Sequence, residues 1–372
     1  MSTVSANTIL DATGGNTATI NGATPTVYNT MGKNLIINGA MQINQRGNST
    51  GQTGANYQMD RWQHGIGSLG TWSSSQSTVA PDGFGNSWKM NCTTANASPS
   101  ASAQLYLFTR LEGQNLQQIK KGTANAQPLT LSFWCRCNKT GNFQTNLRDA
   151  DNTRQVGATV TINSADTWEY KTITFPADTT GALDNDNAWS MNVEFWLDRG
   201  SNYTGGSVPT AWEAAVNTDR AVGTTLALGD STSNEFYITG VQLEVGEAAT
   251  SFEHRPYGTE LALCQRYYQK LGNASYAPIG TGFNHPSNNT NSHFAIPYIT
   301  EMRTLPSASY SNLQVTERTN YDTDITGITL SNFGTQSCWL YVTHSAAGNN
   351  YGGQFLIVKN GTTGYLALSA EL

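Results

Sequence analysis

Two strand-like segments carry side chains that could bind a ligand. LTLSFWCRC (residues 129–137) and MNVEFWLDR (residues 191–199) alternate in pattern, so each has one face for a core and one opposite face. The opposite faces hold two tryptophans, an arginine and two carboxylates: Trp134, Arg136, Glu194, Trp196 and Asp198. Aromatic rings stack on the CH faces of sugars, and charged groups hydrogen-bond their hydroxyls. If the strands share a sheet, these residues form a candidate carbohydrate-binding platform; the alternative is a face that packs on a second domain or a neighbouring chain.

Aspartates are plentiful in the middle of the chain, and paired carboxylates can act as acid and base in glycoside hydrolysis. These residues are Asp149, Asp151, Asp166, Asp178, Asp184 and Asp186. Nearly all of them lie in Asn- and Gly-rich turn contexts, where Asp is favoured for its hydrogen bonds to the backbone. The sequence also lacks GxSxG, HExxH and P-loop motifs. We therefore expect no catalytic residues and no enzymatic activity.

The run LDNDN places Asp184 and Asp186 at alternate positions, which suits the oxygen ligands of Ca²⁺. It lacks the turn glycine and the downstream glutamate of an EF-hand loop, so we expect a solvated loop. The 5 cysteines form no CxxC pair and have no histidine cluster beside them, which argues against zinc and favours buried free thiols. We expect neither a metal nor a cofactor.

The composition excludes several classes of partner. Charged residues make up 12% of the chain, against roughly 25% in a typical soluble domain, so the surface is polar without being strongly ionic. The net charge is −6 and there is no run of Lys and Arg, so we expect no nucleic-acid partner. No window of about 18 apolar residues is present, and we expect no membrane insertion.

Turn residues separate a series of short apolar-patterned segments, among them AQLYLFTRL, WEYKTITFP and EFYITGVQLEV. Strands at this spacing without a long helix predict an all-β fold, with a jelly-roll β-sandwich over residues 34–257. Gly240 interrupts the last of these segments, where we predict a β-bulge. Apolar residues then recur at helical steps, which predicts a short linking helix over residues 258–272. The remaining short strands predict a smaller C-terminal β-sandwich over residues 273–372.

Residues 1–33 are rich in Thr, Asn, Ala and Gly and cannot bury a core of their own. Four spaced apolar residues interrupt this stretch: Val4, Ile9, Ile20 and Tyr28. We predict an extended N-terminal arm for attachment and oligomerisation, in which these four residues pack against other subunits. The alternative is a disordered leader.

Glu253, His254 and Arg255 stand between the last predicted strand of the sandwich and the linking helix. His254 is one of 5 scattered histidines that form no metal or catalytic motif. We interpret the three residues as a polar, hydrogen-bonding domain junction rather than an active site.

Blocks of the sequence, taken in order, resemble phage tail-fibre and other virion-surface structural proteins. The blocks are NLIINGAMQINQRG, YQMDRW, LTLSFWCRC, WEYKTITFP, FYITGVQLEVG, FEHRPYGTELALCQRYYQK, IPYITEMRTLPSASY and YLALSAEL. The central strands are similar to the jelly roll of family 4/9 carbohydrate-binding modules. The last blocks are similar to the exit segment and the C-terminal β-domain of such fibres.

The resemblance implies a non-enzymatic phage virion structural protein, a tail fibre or tail-associated appendage that forms a homotrimer and is assembled in the host bacterial cytoplasm. It also implies that the N-terminal arm contacts other virion proteins, a tail adaptor or the capsid, and that the outer domains bind a host-surface glycan. Two alternatives remain at this point: a capsid-decorating or head-fibre protein, and a glycan depolymerase. A depolymerase would need two carboxylates facing each other across a groove.

Overall fold

The computed structural model describes residues 32–285, 288–317, 321–331, 333–345 and 353–372. The apolar residues predicted for the arm, Val4, Ile9, Ile20 and Tyr28, lie outside the described residues. The chain divides into two compact units, and the division falls between Arg255 and Pro256. We call them the jelly-roll unit and the barrel unit. No helix in the described ranges is long and apolar enough to cross a membrane.

The described part of the jelly-roll unit consists of antiparallel strands and single-turn 3₁₀ helices. The strands are β1 (Ser49–Gln52), β2 (Asn56–Met59), β3 (Trp62–Gly67), β4 (Thr71–Ser77), β5 (Ser87–Thr94), β6 (Gln104–Glu112), β7 (Leu129–Cys137), β8 (Gly141–Asp149), β9 (Arg154–Ile162), β10 (Glu169–Phe175), β11 (Trp189–Arg199), β12 (Glu213–Ala214) and β13 (Glu235–Val245). The 3₁₀ turns are Gly113–Asn115, Gln117–Ile119, Ser201–Tyr203, Asn217–Asp219 and Leu228–Asp230.

The strands form two sheets that pack face to face. A six-stranded sheet has the order β1-β4-β5-β13-β7-β10, and a seven-stranded sheet has the order β12-β9-β8-β11-β6-β3-β2. Alternate residues of the long strands enter a single apolar core. Aromatic rings link the two sheets there, with ring centroids 6.2 Å apart for Trp62 and Trp88 and 5.1 Å apart for Phe133 and Phe195. The predicted all-β fold with a jelly-roll sandwich is confirmed.

The predicted bulge at Gly240 is present in β13. The pairing of β13 with β7 shifts register between Thr239 and Gln242, and Gly240 has a φ of 62°. Before the bulge β13 pairs with β5, and beyond it the strand pairs with the chain before β1. There the Leu35 amide donates to the carbonyl of Leu243 at 2.9 Å. The bulge therefore lets one strand take two successive neighbours on the same edge.

The barrel unit begins with one helix, α1 (Tyr257–Gln265). The sequence predicted helix as far as residue 272, but β14 already begins at Tyr268 and pairs with the last strand of the chain, Tyr268 lying opposite Ser369. A long-range strand pairing overrides the local helical pattern here. The linking helix is therefore present but shorter than predicted.

The remaining strands of the barrel unit form two sheets. They are β14 (Tyr268–Gly272), β15 (Pro278–His285), β16 (Asn288–Pro297), β17 (Ser307–Ser311), β18 (Leu313–Glu317), β19 (Tyr321–Ser331), β20 (Ser337–His344), β21 (Gly353–Val358) and β22 (Tyr365–Ser369). β14, β22 and β17 form a three-stranded sheet, and the others close into a barrel in the order β15-β16-β20-β19-β18-β21. The expected smaller β-domain thus has a closed sheet, with Phe294, Leu340 and Leu356 buried in its core.

Candidate functional site

The five residues of the predicted platform do not converge. Trp134 and Arg136 lie on β7 of the six-stranded sheet, whereas Glu194, Trp196 and Asp198 lie on β11 of the seven-stranded sheet. Each group faces away from the core that the two sheets share, so the two groups point to opposite sides of the sandwich. The prediction that these residues form a single platform is therefore wrong. Alternation fixes the face of a strand, but it does not reveal the sheet to which the strand belongs.

The group on β11 is buried, so the prediction that it forms an exposed binding surface is wrong. Glu194, Trp196 and Asp198 are 0%, 0% and 2% exposed because the chain between β11 and β13 folds over them. From that covering segment Arg220 pairs with Glu194 at 2.9 Å, and the amide of Gly229 donates to Asp198 at 2.7 Å. This face does pack, as the alternative held, but its partner is a segment of its own unit.

Aromatic and ionic contacts stabilise this covered face together. The ring of Trp196 stacks on Tyr106 with centroids 4.6 Å apart, and the guanidinium of Arg220 lies 4.5 Å from the centre of the Trp196 ring. Burial favours the neutral form of Glu194, but attraction to Arg220 and Arg148 outweighs it, so the pKa of Glu194 lies below its usual range. The arrangement is a buried, internally paired structural network.

Trp134 lines a cleft on the outer face of the six-stranded sheet. The cleft has a volume of about 430 Å³. Its floor includes Ser132 and Trp134 of β7 and Gly240 of β13. Residues 82–84 line it as well, as do residues 249–252 and His254. The site is thus built by a rigid sheet and two irregular segments, an arrangement common in binding sites.

Several rings besides Trp134 border this cleft. Phe84 and Phe252 meet edge to face with centroids 5.0 Å apart, and His254 lies 5.2 Å from Phe84. Tyr170 stands opposite Trp134 on the neighbouring strand β10, with ring centroids 5.2 Å apart. Tyr170 is 45% exposed, so the cleft opens to solvent along an aromatic edge.

Gly240 keeps the cleft open. A Cβ atom at this position would lie 2.7 Å from the ring of Phe84 and 3.1 Å from the ring of Trp134. Its φ of 62° also favours glycine. Any side chain here would therefore fill the space between two of the rings that line the site. The same bulge that redirects β13 thus shapes the cleft.

Arg136 lies two residues along β7 from Trp134, outside the cleft. Its guanidinium pairs with Asp166 at 2.8 Å and lies 5.1 Å from the centre of the Tyr237 ring. Lys89 approaches the same ring at 5.1 Å and pairs with Glu235 at 2.5 Å. Arg136 and Lys89 thus both form ion pairs within the chain. The surface beside the cleft is charged, but its charges are paired with one another.

Sequence reasoning found Trp134 and singled out His254, but it interpreted His254 as a hydrogen-bonding junction residue, whereas its ring lies against Phe84 in the cleft lining; the remaining rings of the cleft were missed. Tyr170 could have been found, because WEYKTITFP alternates. The alternation puts Phe175 on the core face of the strand and Tyr170 on the outer face. Phe84 and Phe252 lie in irregular segments without periodicity. No local pattern identifies them, since their position depends on the tertiary fold.

Glu253 and Arg255 bind the start of the described chain to the jelly-roll unit. The carboxylate of Glu253 accepts hydrogen bonds from the amides of Gly32 at 2.7 Å and Asn34 at 2.8 Å. The guanidinium of Arg255 donates to the carbonyl of Ile36 at 3.0 Å and to that of Asn34. These contacts lie at the last residues of the unit and are structural in kind.

The cleft is poor in carboxylates and lacks a cluster of metal ligands among the described residues that line it. Asp82 is the one carboxylate among the described residues that line it. Within the described ranges no group of three or more His, Cys, Asp and Glu side chains is placed to hold a metal ion. The chemistry that this site offers is ring stacking and hydrogen bonding.

No protein-family model matches the chain, and no curated protein matches it. Among solved structures, the enzymatically active domain of tailspike protein 4 of bacteriophage CBA120 matches with a TM-score of 0.29 and 11% identity, over 57% of this chain and 21% of that one. The family 11 carbohydrate-binding module of Clostridium thermocellum, in complex with a mixed-linked tetrasaccharide, matches with a TM-score of 0.28 and 11% identity, over 56% of this chain and 98% of that one. A putative sugar-binding protein of Bacteroides thetaiotaomicron matches with a TM-score of 0.28 and 10% identity, over 57% of this chain and 100% of that one. At such scores and identities these likenesses leave the function of this chain open.

Proposed function

We propose that the jelly-roll unit binds a glycan in the cleft between Trp134, Phe84 and Phe252. The observation that carries this proposal is the set of rings around a solvent-open cleft on the outer face of a sheet. A sugar ring has apolar CH faces, and it would stack on Trp134 and against the exposed Tyr170. Hydroxyls of the sugar would meet the hydroxyls of Ser132 and Ser251 in the lining.

Binding without cleavage fits the lining better than hydrolysis does. Glycoside hydrolysis uses two carboxylates roughly 5 to 9.5 Å apart on either side of the bond. Among the described residues of the lining, Asp82 is the one carboxylate. We therefore propose a non-enzymatic role for this site.

We further propose that the chain is a phage virion structural protein, a tail fibre or tail-associated appendage that forms a homotrimer. The support is the ordered set of sequence blocks from NLIINGAMQINQRG to YLALSAEL and the low charge of the chain, 12% Asp, Glu, Lys and Arg. In this proposal residues 1–33 attach to other virion proteins and the cleft recognises a host-surface glycan.

The test replaces Trp134 with alanine in the full chain and measures binding on an array of bacterial surface polysaccharides. We expect Trp134→Ala to weaken binding by about tenfold or more, equivalent to about 1.4 kcal/mol, because the sugar loses its stacking surface. Trp189→Ala is the matched control: Trp189 is a 36% exposed tryptophan of the same unit, on β11 of the other sheet.

Two results would contradict the proposal. Unchanged binding by Trp134→Ala, with the fold intact by circular dichroism, would remove the cleft as the site. Release of reducing ends from a bound polysaccharide by the wild-type chain would overturn the non-enzymatic role.

A further inference from the structure

The barrel unit carries an aromatic cluster on its outer surface. Three adjacent strands align its members: Phe283 on β15 lies opposite His293 on β16, and His293 lies opposite Tyr341 on β20. The rings of Phe283 and His293 are nearly parallel, at 7° and 5.7 Å, and Trp339 meets Phe283 edge to face at 5.9 Å. We call Phe283, His293, Trp339 and Tyr341 the barrel patch.

The barrel patch faces solvent. Phe283 and Trp339 are 47% and 37% exposed, while Phe294, next to His293 on β16, and Leu340, next to Trp339 on β20, are fully buried inside the barrel. Exposed aromatic surface forgoes the free energy that burial would provide. A contiguous group of such rings is therefore a candidate interaction surface.

The barrel patch also lacks carboxylates, ammonium groups and guanidinium groups. Its imidazole, His293, lies 5.5 Å from that of His285, and burial together with His285 lowers the pKa of His293 and so favours the uncharged ring. β15, β16 and β20 contain no Asp, Glu, Lys or Arg, and the next strand places the hydroxyls of Thr329 and Ser331 beside Tyr341 and Trp339. The exposed ring of Trp189 in the jelly-roll unit differs, because it lies under the guanidinium of Arg110 at 4.1 Å. The chemistry of the patch, open rings bordered by hydroxyls, matches a neutral ligand with CH faces and hydroxyls of its own.

The size of the barrel patch favours a small ligand over a subunit. An aromatic side chain has about 150–250 Å² of surface, so the exposed parts of Phe283 and Trp339 amount to on the order of 100 Å² each. A stable protein interface buries about 800 Å² on each partner. The patch is the right size for one or two sugar rings.

We propose that the barrel patch is a second carbohydrate-contact site, selective for uncharged saccharides and independent of the cleft in the jelly-roll unit. Its rings stack on the CH faces of the sugar, and the flanking hydroxyls take part in hydrogen bonds. Because the two sites lie in separate folding units, each contributes to attachment by itself, and a chain with both gains avidity for a glycan-coated surface.

The test is saturation-transfer-difference NMR on the full chain with neutral cello-, malto- and chitotetraose and with an anionic sialylated oligosaccharide as probes. The background is Trp134→Ala, which silences the cleft. We expect this variant to keep saturation transfer to at least one neutral tetrasaccharide and none to the anionic probe. Adding Phe283→Ala and Trp339→Ala should lower the transfer at least fivefold, whereas Tyr276→Ala, which removes an exposed ring before β15, should leave it unchanged.

Three results would overturn the barrel patch as a carbohydrate site. The first is the loss of all saturation transfer in Trp134→Ala alone. The second is undiminished saturation transfer in the variant that combines Trp134→Ala, Phe283→Ala and Trp339→Ala. The third is a lower oligomer mass for Trp339→Ala in analytical ultracentrifugation, which would make the patch a contact between copies. If instead Trp134→Ala has no effect and Trp339→Ala abolishes binding, the cleft proposal fails and the barrel patch stands.

Discussion

His64 is a titratable side chain inside the core of the jelly-roll unit. It lies on β3 between Trp62 and Ile66 on the core side, it is fully buried, and neither ring nitrogen has a hydrogen-bonding partner among the described residues. Burial lowers the pKa of His64 from its ordinary 6.5 to about 4, because the charged form would lose its hydration. Folding therefore favours the neutral ring.

This burial predicts a pH dependence of stability. The unfolded chain binds a proton at His64 below pH 6.5, whereas the folded chain binds one only below about pH 4. The free energy of unfolding should therefore decrease as the pH is lowered from 6.5 to 4. Two and a half pKa units correspond to about 3 kcal/mol. In urea titrations from pH 7 to pH 4, His64→Gln should flatten this slope, while the exposed control His254→Gln should keep it. An unchanged slope in His64→Gln would contradict the assignment.

Trp134 and Trp196 show why residue type alone did not identify a site. Both are tryptophans on the face of a strand that points away from the core, and both have polar neighbours two positions away. Trp196 is fully covered by the chain after β11, whereas Trp134 borders an open cleft. What covers a face is set by segments distant in sequence, and no local pattern reports it.

At the scale of elements, a buried ion cluster joins the segments around β8 and β10. The ammonium of Lys121 lies 2.6 Å from Asp149 and 3.0 Å from Asp178, and it donates to the carbonyls of Thr180 and Gly181 at 2.9 Å each. Burial disfavours ionisation of Asp178, but its hydrogen bonds with arginine and lysine outweigh this, and its pKa lies below the usual range. The aspartates that sequence reasoning assigned to turns include this structural pair.

Replacing Lys121 should destabilise the jelly-roll unit strongly. Lys121→Met leaves the carboxylates of Asp149 and Asp178 buried without the lysine charge, and we expect a loss of about 3 kcal/mol in the free energy of unfolding. Lys120→Met is the matched control, because the neighbouring Lys120 is exposed and its replacement should change stability by less than about 0.5 kcal/mol. Urea unfolding of both variants is the measurement, and equal stabilities would refute the role of the cluster.

Elements with a strong local pattern were predictable. The alternating segments became strands, and the phase change at Gly240 became a bulge. The helix after the sandwich was predicted too long, because its last residues pair with β22 at the far end of the chain. Local periodicity competes with such pairings and cannot foresee them.

At the scale of the whole molecule, the described jelly-roll unit begins and ends at the same place. Gly32 and Glu253 are joined by a 2.7 Å hydrogen bond, and the division between the units follows at Arg255. Neighbouring ends are common in autonomous domains. The described strands of both sheets all lie after Lys33, so a chain that starts at Lys33 keeps the whole sandwich.

Removal of the arm tests the proposed homotrimer. We expect the full chain to be trimeric and a chain that starts at Lys33 to be monomeric with its β-structure retained, because the apolar residues predicted to pack between subunits are then absent. Sedimentation equilibrium of both chains, with circular dichroism as the control for folding, is the measurement. Monomers in both cases would remove the trimer from the proposal.

The sequence by itself determined the all-β class, the sandwich, the bulge and the faces of the strands, because alternation and turn residues act over a few neighbouring positions. The tertiary structure alone decided which strands share a sheet, which tryptophan is covered and which rings surround a cleft. Those outcomes depend on contacts between residues far apart in the chain, such as Trp134 on β7 with Phe84 and Phe252 in irregular segments. Packing in three dimensions, rather than residue type, therefore made one of two similar faces a candidate binding site.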